Sequence, residues 1–134
     1  MSTGQLINDY LAAWNAHDIH AVGRFLADDA VYFEASTGNL QHGREAAENN
    51  IIGVLIRAMP DLNRELRSPA VASGDAIAFE WTMTGTNTGT WNGVPATRQK
   101  LKLKGITLVR VRDGKIAYQA DYYDTTALNR QMGW

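Results

Sequence analysis

Two carboxylates lie three residues apart in the segment QADYYD, near the C-terminal end of the chain: Asp121 and Asp124. A carboxyl group in an apolar pocket can remove a proton from a carbon beside a carbonyl, or protonate a developing oxyanion. Burial favours this, because desolvation raises a carboxyl pKa toward the range where proton transfer is efficient. Side chains three apart in a strand point to opposite faces, so at most one of the two faces a core. The spacing does not say which one.

The composition is that of an ordinary globular domain. The chain has 134 residues, of which 45% are hydrophobic and 20% charged, and we expect one domain over residues 1–134. The net charge of −1 offers no attraction to nucleic acid or to anionic membranes. The absence of cysteine excludes disulfides and thiolate metal sites. No signal peptide or membrane-length apolar run is visible, so we expect a cytoplasmic protein.

Hydrophobic spacing predicts three helices followed by a sheet. The first helix covers about residues 5–15, the second begins after the N-cap candidate Asp18 and ends near Asp28, and the third covers about residues 44–59. A short strand at 30–35 is followed by loop at 36–39. Later strands are predicted at 62–71, 76–86, 100–112 and from residue 114 onward. Helices on one face of a meandering antiparallel sheet define an α+β fold.

Alternation assigns an inner face to two of these strands. In the 100–112 strand the lysines and arginines share one face, and leucines, valines and Thr107 share the other, which must therefore be the inner one. Ile106 and Leu108 interrupt the outer cationic row, and three interpretations stay open for them: exposed residues, residues covered by the chain, or a small dimer contact. In the 76–86 strand the large apolar set is expected inside. In the last strand both faces mix polar and apolar residues, so alternation leaves the choice between Asp121 and Asp124 open.

Four segments, taken in order, resemble the SnoaL-like polyketide cyclases, relatives of ketosteroid isomerase and limonene-1,2-epoxide hydrolase in the nuclear transport factor 2-like superfamily. They are YLAAWNAHDIHAVGRFLADDAVYFEASTG, HGREA, WTMTGTNTGTWNGVPATRQ and VRDGKIAYQADYYD. The resemblance covers nearly the whole chain. It implies a conical barrel, in which a curved antiparallel sheet wraps around three N-terminal helices and leaves a deep apolar pocket. It also implies a homodimer.

The same resemblance implies that Asp121 is the acid or base in the pocket. Gln119 and Tyr123 then share its face, and Asp124 lies outside as the N-cap of a closing helix. Tyr10 and Glu34 are the other catalytic candidates. The expected substrate-binding residues are Trp14, Phe79, Trp81, Met83, Leu101, Thr107, Gln119 and Tyr123.

Two related chemistries fit the residues less well. Epoxide hydrolysis in this superfamily needs an arginine and an aspartate two apart on an inner strand, and the matching positions here are Trp81 and Met83. Steroid isomerisation needs a tyrosine, a base carboxylate and a protonated aspartate. Tyr10 and Glu34 match the first two positions, but the third is Thr107.

The sequence therefore predicts a cofactor-independent cyclase or isomerase, of the lyase or isomerase class, with Asp121 as general acid/base. Its substrate would be a hydrophobic, carbonyl-containing small molecule of polyketide or terpenoid type. No metal is expected, because His17, His20 and His42 lack the spacing of a metal site. The alternative is a non-catalytic domain of the same fold that binds a small molecule or mediates association.

Overall fold

The computed structural model describes residues 2–134. The helices are α1 (Thr3–Asn15), α2 (Ile19–Gly23), α3 (Arg44–Ala47), α4 (Gly53–Ala58) and α5 (Thr125–Met132). A π-helical turn, Glu48–Ile52, connects α3 directly to α4, so the predicted third helix is continuous but changes its winding in the middle. The side chains of Ser2, Asp18 and Asp124 cap α1, α2 and α5 by accepting hydrogen bonds from backbone N–H groups.

Seven strands form one sheet: β1 (Leu26–Glu34), β2 (Asn39–His42), β3 (Asn63–Leu66), β4 (Val71–Ser73), β5 (Ala76–Thr86), β6 (Lys100–Arg112) and β7 (Lys115–Tyr123). Their order is β2-β1-β7-β6-β5-β3, and β4 also pairs with β5. All pairs are antiparallel except β1 with β7, which run parallel. The predicted α+β class is confirmed, with a curved sheet that does not close into a complete barrel.

Three predicted boundaries differ from the structure. The second helix ends at Gly23 and not near Asp28, because the chain enters β1 at Leu26, which lies beside Ile116 of β7. The loop expected over 36–39 ends one residue earlier, because β2 begins at Asn39. The single strand predicted over 62–71 is two short edge strands, β3 and β4, with Pro69 in the gap between them, where a missing N–H costs least.

The inner faces of β5 and β6 are those that alternation predicts. Phe79, Trp81 and Met83 of β5 are buried, as are Leu103 and Val109 of β6. The lysines of β6 point outward and are exposed. The inner face packs against the buried sides of the helices, so the core lies between the two layers.

A β-bulge explains why alternation failed in β7. Arg110 of β6 is the partner of Tyr118, but the next residue, Val111, is the partner of Ile116. Strand β7 therefore carries one extra residue at Ala117, and its inward set changes there from one alternate series to the other. As a result Ile116 faces the core before the bulge, and Gln119 and Asp121 face it afterwards.

Candidate active site

Asp121 lies on the inner face of β7 and is only 1% exposed. Its carboxylate accepts three hydrogen bonds: from Tyr32 Oη to Oδ2 at 2.9 Å, from Thr107 Oγ1 to Oδ1 at 2.6 Å, and from Gln119 Nε2 to Oδ1 at 3.1 Å. None of the cations within residues 2–134 lies within 4.0 Å of it. Neutral donors therefore orient this carboxylate without a direct ion pair.

The donors are themselves fixed by further hydrogen bonds. Thr107 is the register partner of Asp121, and its hydroxyl accepts from Trp81 Nε1 at 2.8 Å. Gln119 also donates to Tyr32 Oη at 2.9 Å and accepts from Tyr10 Oη at 2.7 Å. Burial raises the pKa of both tyrosines, so they remain hydroxyl donors. Side chains from α1, β1, β5, β6 and β7 thus hold Asp121 in one orientation.

Glu34, at the end of β1, is the parallel-strand partner of Asp121 and is also buried. Tyr123 Oη donates to its Oε2 at 3.0 Å, while Oε1 is buried without a hydrogen-bond partner among the described residues. Burial and the nearby charge of Asp121 raise the pKa of Glu34 well above its ordinary value. A second negative charge beside Asp121 is costly in such a place, so this shift favours the protonated form of Glu34.

A small cavity of about 10 Å³ adjoins these two carboxyl groups. Its wall also contains Arg64 and Tyr123, and the rest of it is apolar: Leu55, Trp81, Met83, Trp91, Leu103 and Leu128. Outside lies an open groove of about 530 Å³. Five residues line both spaces and separate them, a set we call the partition: Glu34, Leu55, Trp91, Tyr123 and Leu128. The cavity has room for one oxygen-sized group, and the groove has room for the body of a small molecule.

The structure brings only some of the predicted site residues to this cavity. Asp121, Glu34, Trp81, Met83 and Tyr123 line it. Thr107 and Gln119 lie behind Asp121 as hydrogen-bond donors, and Tyr10 lies one step further back, on Gln119. Tyr10 is completely buried, so its position supports the network and gives it no contact with a ligand.

Three of the predicted lining residues lie elsewhere. Phe79 is a core side chain, and Trp14 packs beneath the guanidinium of Arg64. Leu101 borders a different surface groove, beside Lys100 and Lys102. The expected deep apolar pocket is also narrower than predicted, because aromatic and leucine side chains fill most of the space near Asp121.

Sequence reasoning missed Arg64. This residue of β3 is 3% exposed, and its guanidinium carbon lies 4.3 Å from the Trp14 ring centroid and 5.0 Å from that of Trp81. A signal was available, because alternation places Arg64 on the same face as Leu62 and Leu66. Arg64 is the register partner of Met83, on the strand that neighbours Trp81.

Tyr32 was missed as well, although it shares the inner face of β1 with Glu34. The buried Asn87 has a structural role. Its amide donates to the carbonyls of Ala58 and Gly89, and its oxygen accepts two bonds from Thr97, so it holds the 87–99 connection against α4.

Two further features concern residues 2–134 as a whole. No group of three or more histidines or carboxylates in this part of the chain is arranged to hold a metal ion. None of its helices combines the length and the apolar character needed to cross a bilayer.

The fold agrees with what comparison with known proteins shows. The model of the SnoaL-like polyketide cyclase family matches residues 4–132, so the chain belongs to this family. No curated protein matches it. AclR, a proposed hydroxylase from Streptomyces galilaeus, is 27% identical, with 96% of this chain and 79% of that chain covered at a TM-score of 0.81.

Two further solved structures are similar over nearly their whole length. A proposed polyketide cyclase from Pseudomonas putida is 26% identical, with 98% of each chain covered and a TM-score of 0.81. Another from Xanthomonas campestris is 27% identical, with 96% of this chain and 94% of that chain covered and a TM-score of 0.78. These neighbours support a cyclase-type role for the family member described here.

Proposed function

We propose that this protein is a cofactor-independent cyclase or isomerase that acts on a carbonyl-containing small molecule, with Asp121 as its base. The observation that carries the proposal is the placement of two buried carboxyl groups side by side, the oriented Asp121 and Glu34 with its raised pKa, at a cavity next to an open groove. One group of the pair can accept a proton while the other can donate one.

The reaction follows from these two states. Asp121 removes a proton from the carbon beside a carbonyl, and the C–H electrons form a C=C bond as the carbonyl oxygen becomes an enolate. In a cyclisation the enolate carbon attacks a second carbonyl of the same molecule, and Glu34 protonates the oxygen produced there. Because Glu34 and Asp121 are register partners, a proton passing from Asp121 to Glu34 restores the starting state.

The groove accounts for binding the rest of the substrate. Trp91 and Trp134 form an edge-to-face pair in its wall, with ring centroids 5.3 Å apart. Flat aromatic surfaces favour a planar, conjugated ligand such as a polyketide. A non-catalytic binding protein would use the same groove, so proton abstraction is the property that must be measured.

The test is solvent deuterium exchange. In deuterated water, NMR follows deuterium uptake at the carbon beside the carbonyl in a panel of aromatic 1,3-diketones. The wild-type protein should catalyse uptake, and Asp121→Asn should slow it by about 10²–10⁴-fold, the usual contribution of a general base.

Asp124→Asn is the matched control, because asparagine also caps a helix well and Asp124 contacts only backbone N–H groups of α5. This variant should exchange like the wild type. Unchanged exchange in folded Asp121→Asn would remove Asp121 from the mechanism. Binding without exchange in the wild type would favour the non-catalytic alternative.

We also propose a homodimer that forms through the outer face of the sheet. One row across this face is entirely apolar and in register from edge to edge: Leu40, Phe33, Ala120, Leu108, Ala78 and Val71. Beside it, Ile106 and Tyr122 are partners and are 43% and 47% exposed. An apolar row of this kind, flanked by exposed apolar side chains, is typical of an interaction face.

A further inference from the structure

Arg64 is a buried cation without a close counter-ion. None of the carboxylates in residues 2–134 lies within 4.0 Å of its guanidinium, and Nε is buried with no hydrogen-bond partner. Leaving a charged donor unsatisfied inside a protein is costly. The cost is relieved if an acceptor enters the cavity that Arg64 lines together with Asp121 and Glu34.

The position of Arg64 is held firmly. Its backbone N–H donates to Asn15 Oδ1 at 2.6 Å, and its carbonyl accepts from Asn15 Nδ2 at 2.9 Å, so one α1 side chain clamps this edge-strand residue. The rings of Trp14 and Trp81 lie against the guanidinium and favour its charged form. Burial would lower the pKa of Arg64, but the nearby Tyr32, Asp121, Glu34 and Tyr10 outweigh this effect, and the net shift is upward.

From this geometry we propose that Arg64 binds the oxyanion of the substrate. The inference rests on the proposed function, because the oxyanion is the enolate oxygen created when Asp121 removes a proton. The substrate class is then a compound with an acidic enol or phenol oxygen, whose ring body occupies the groove while the oxygen passes the partition into the cavity.

Charge balance supports this assignment. In the proposed mechanism, Asp121 carries the one negative charge near Arg64 before reaction, and Glu34 is neutral. After proton transfer the O–H bond has formed on Asp121, and the negative charge has moved to the substrate oxygen. Arg64 still faces one negative charge, so it needs no reorganisation during the step.

The test uses 4-nitrophenol, whose phenolate absorbs visible light and whose neutral form does not. Asp121→Asn imitates the carboxyl group after proton transfer and removes the negative charge of Asp121 from the wall of the cavity. This variant should bind the phenolate at least about tenfold more tightly than the wild type, as expected for a charge-assisted hydrogen bond. The double variant Asp121→Asn/Arg64→Met should lose that gain.

Arg67→Met in the Asp121→Asn background is the matched control, since Arg67 is a partly exposed arginine nearby in the chain that pairs with Glu80 at 3.8 Å. It should leave phenolate binding unchanged. If Arg64→Met does not fold, a comparison of two ligands replaces that variant. Asp121→Asn should bind the 4-nitrophenolate anion more tightly than nitrobenzene, which has a similar ring but no charge.

Three results would overturn the inference: binding of the neutral phenol only, equal affinity in wild type and Asp121→Asn, or phenolate binding that survives Arg64→Met. The deuterium-exchange assay separates these failures from failure of the proposed function. Exchange that depends on Asp121, without phenolate selectivity, would retain the base and reject the role of Arg64.

Discussion

At the scale of single residues, Glu34 and Asp121 show how environment divides two similar groups between two roles. Asp121 accepts hydrogen bonds on both oxygens, which fixes its orientation. Glu34 has one donor, Tyr123, and otherwise faces burial and a neighbouring charge. In the proposed mechanism the same chemical group therefore serves as base in one position and as acid in the other.

The raised pKa of Glu34 has a consequence for stability. Above the ordinary value of 4.5 the unfolded chain releases the Glu34 proton while the folded protein keeps it. The folded state then binds more protons, so this group makes stability fall as pH rises from 4.5 toward the folded pKa. Glu34→Gln should flatten that decline, measured by urea unfolding across a pH series.

Glu65→Gln is the control for this experiment, because Glu65 is an exposed residue of β3. Its pH profile should follow that of the wild type. A Glu34→Gln profile as steep as that of the wild type would mean that Glu34 does not hold its proton in the folded state.

At the scale of elements, the pairing of β5 with β6 positions the donor to Asp121. Gly105 is the register partner of Trp81, and a Cβ built on it would lie 2.3 Å from the indole and 2.8 Å from the carbonyl oxygen of Tyr122. Because Gly105 has no side chain, the Trp81 indole occupies this space, and from there its Nε1–H donates to the Thr107 hydroxyl.

Gly105→Ala should therefore destabilise the protein by about 1–3 kcal/mol, the usual cost of overpacking a filled core. It should also slow deuterium exchange, because displacement of the Trp81 ring removes the hydrogen bond that holds the Thr107 hydroxyl in position to donate to Asp121. Denaturant unfolding and the exchange assay measure the two effects. Gly4→Ala, where a Cβ meets nothing within 4 Å on helix α1, should instead be neutral or stabilising. Equal behaviour of the two variants would show that Gly105 is not a packing requirement.

Elements also mark the limit of what the sequence could predict. Lysines on one face and leucines and valines on the other made β6 unambiguous, since charged side chains cannot be buried in a row. In β7 the extra residue at Ala117 leaves no trace in residue type, so alternation gave two mixed faces and only the family resemblance singled out Asp121. Arg64 was missed because a buried cation goes against the same rule that assigned β6.

At the scale of the whole molecule, the proposed dimer can be tested on the outer sheet face. Sedimentation velocity should show a dimer for the wild type at micromolar concentration. Ile106→Glu should shift the protein to monomer, because it places a charge in the apolar contact. Ala12→Glu, on the exposed side of α1, should leave the dimer intact. A wild-type protein that sediments only as a monomer would contradict the proposal.

The α+β class was predictable at this scale because the change from helical to alternating periodicity falls near Pro60 and continues to the end of β7. The parallel pairing of β1 with β7 was not, since it depends on how distant segments meet. The pairing of β1 with β7 positions the site, because it brings Glu34 next to Asp121 although the two residues are 87 positions apart in the chain. The hydrogen bond between Gln119 and Tyr32, in the same strand pair, joins residues with the same separation.

The partition between cavity and groove makes recognition separable from reaction. Asn92 and Trp134 lie on the outer side and do not reach the inner space, whereas Arg64 and Asp121 lie only on the inner side. During evolution, substitutions in the outer wall alone can therefore change which molecules such a protein binds. The inner residues proposed for proton transfer can stay the same.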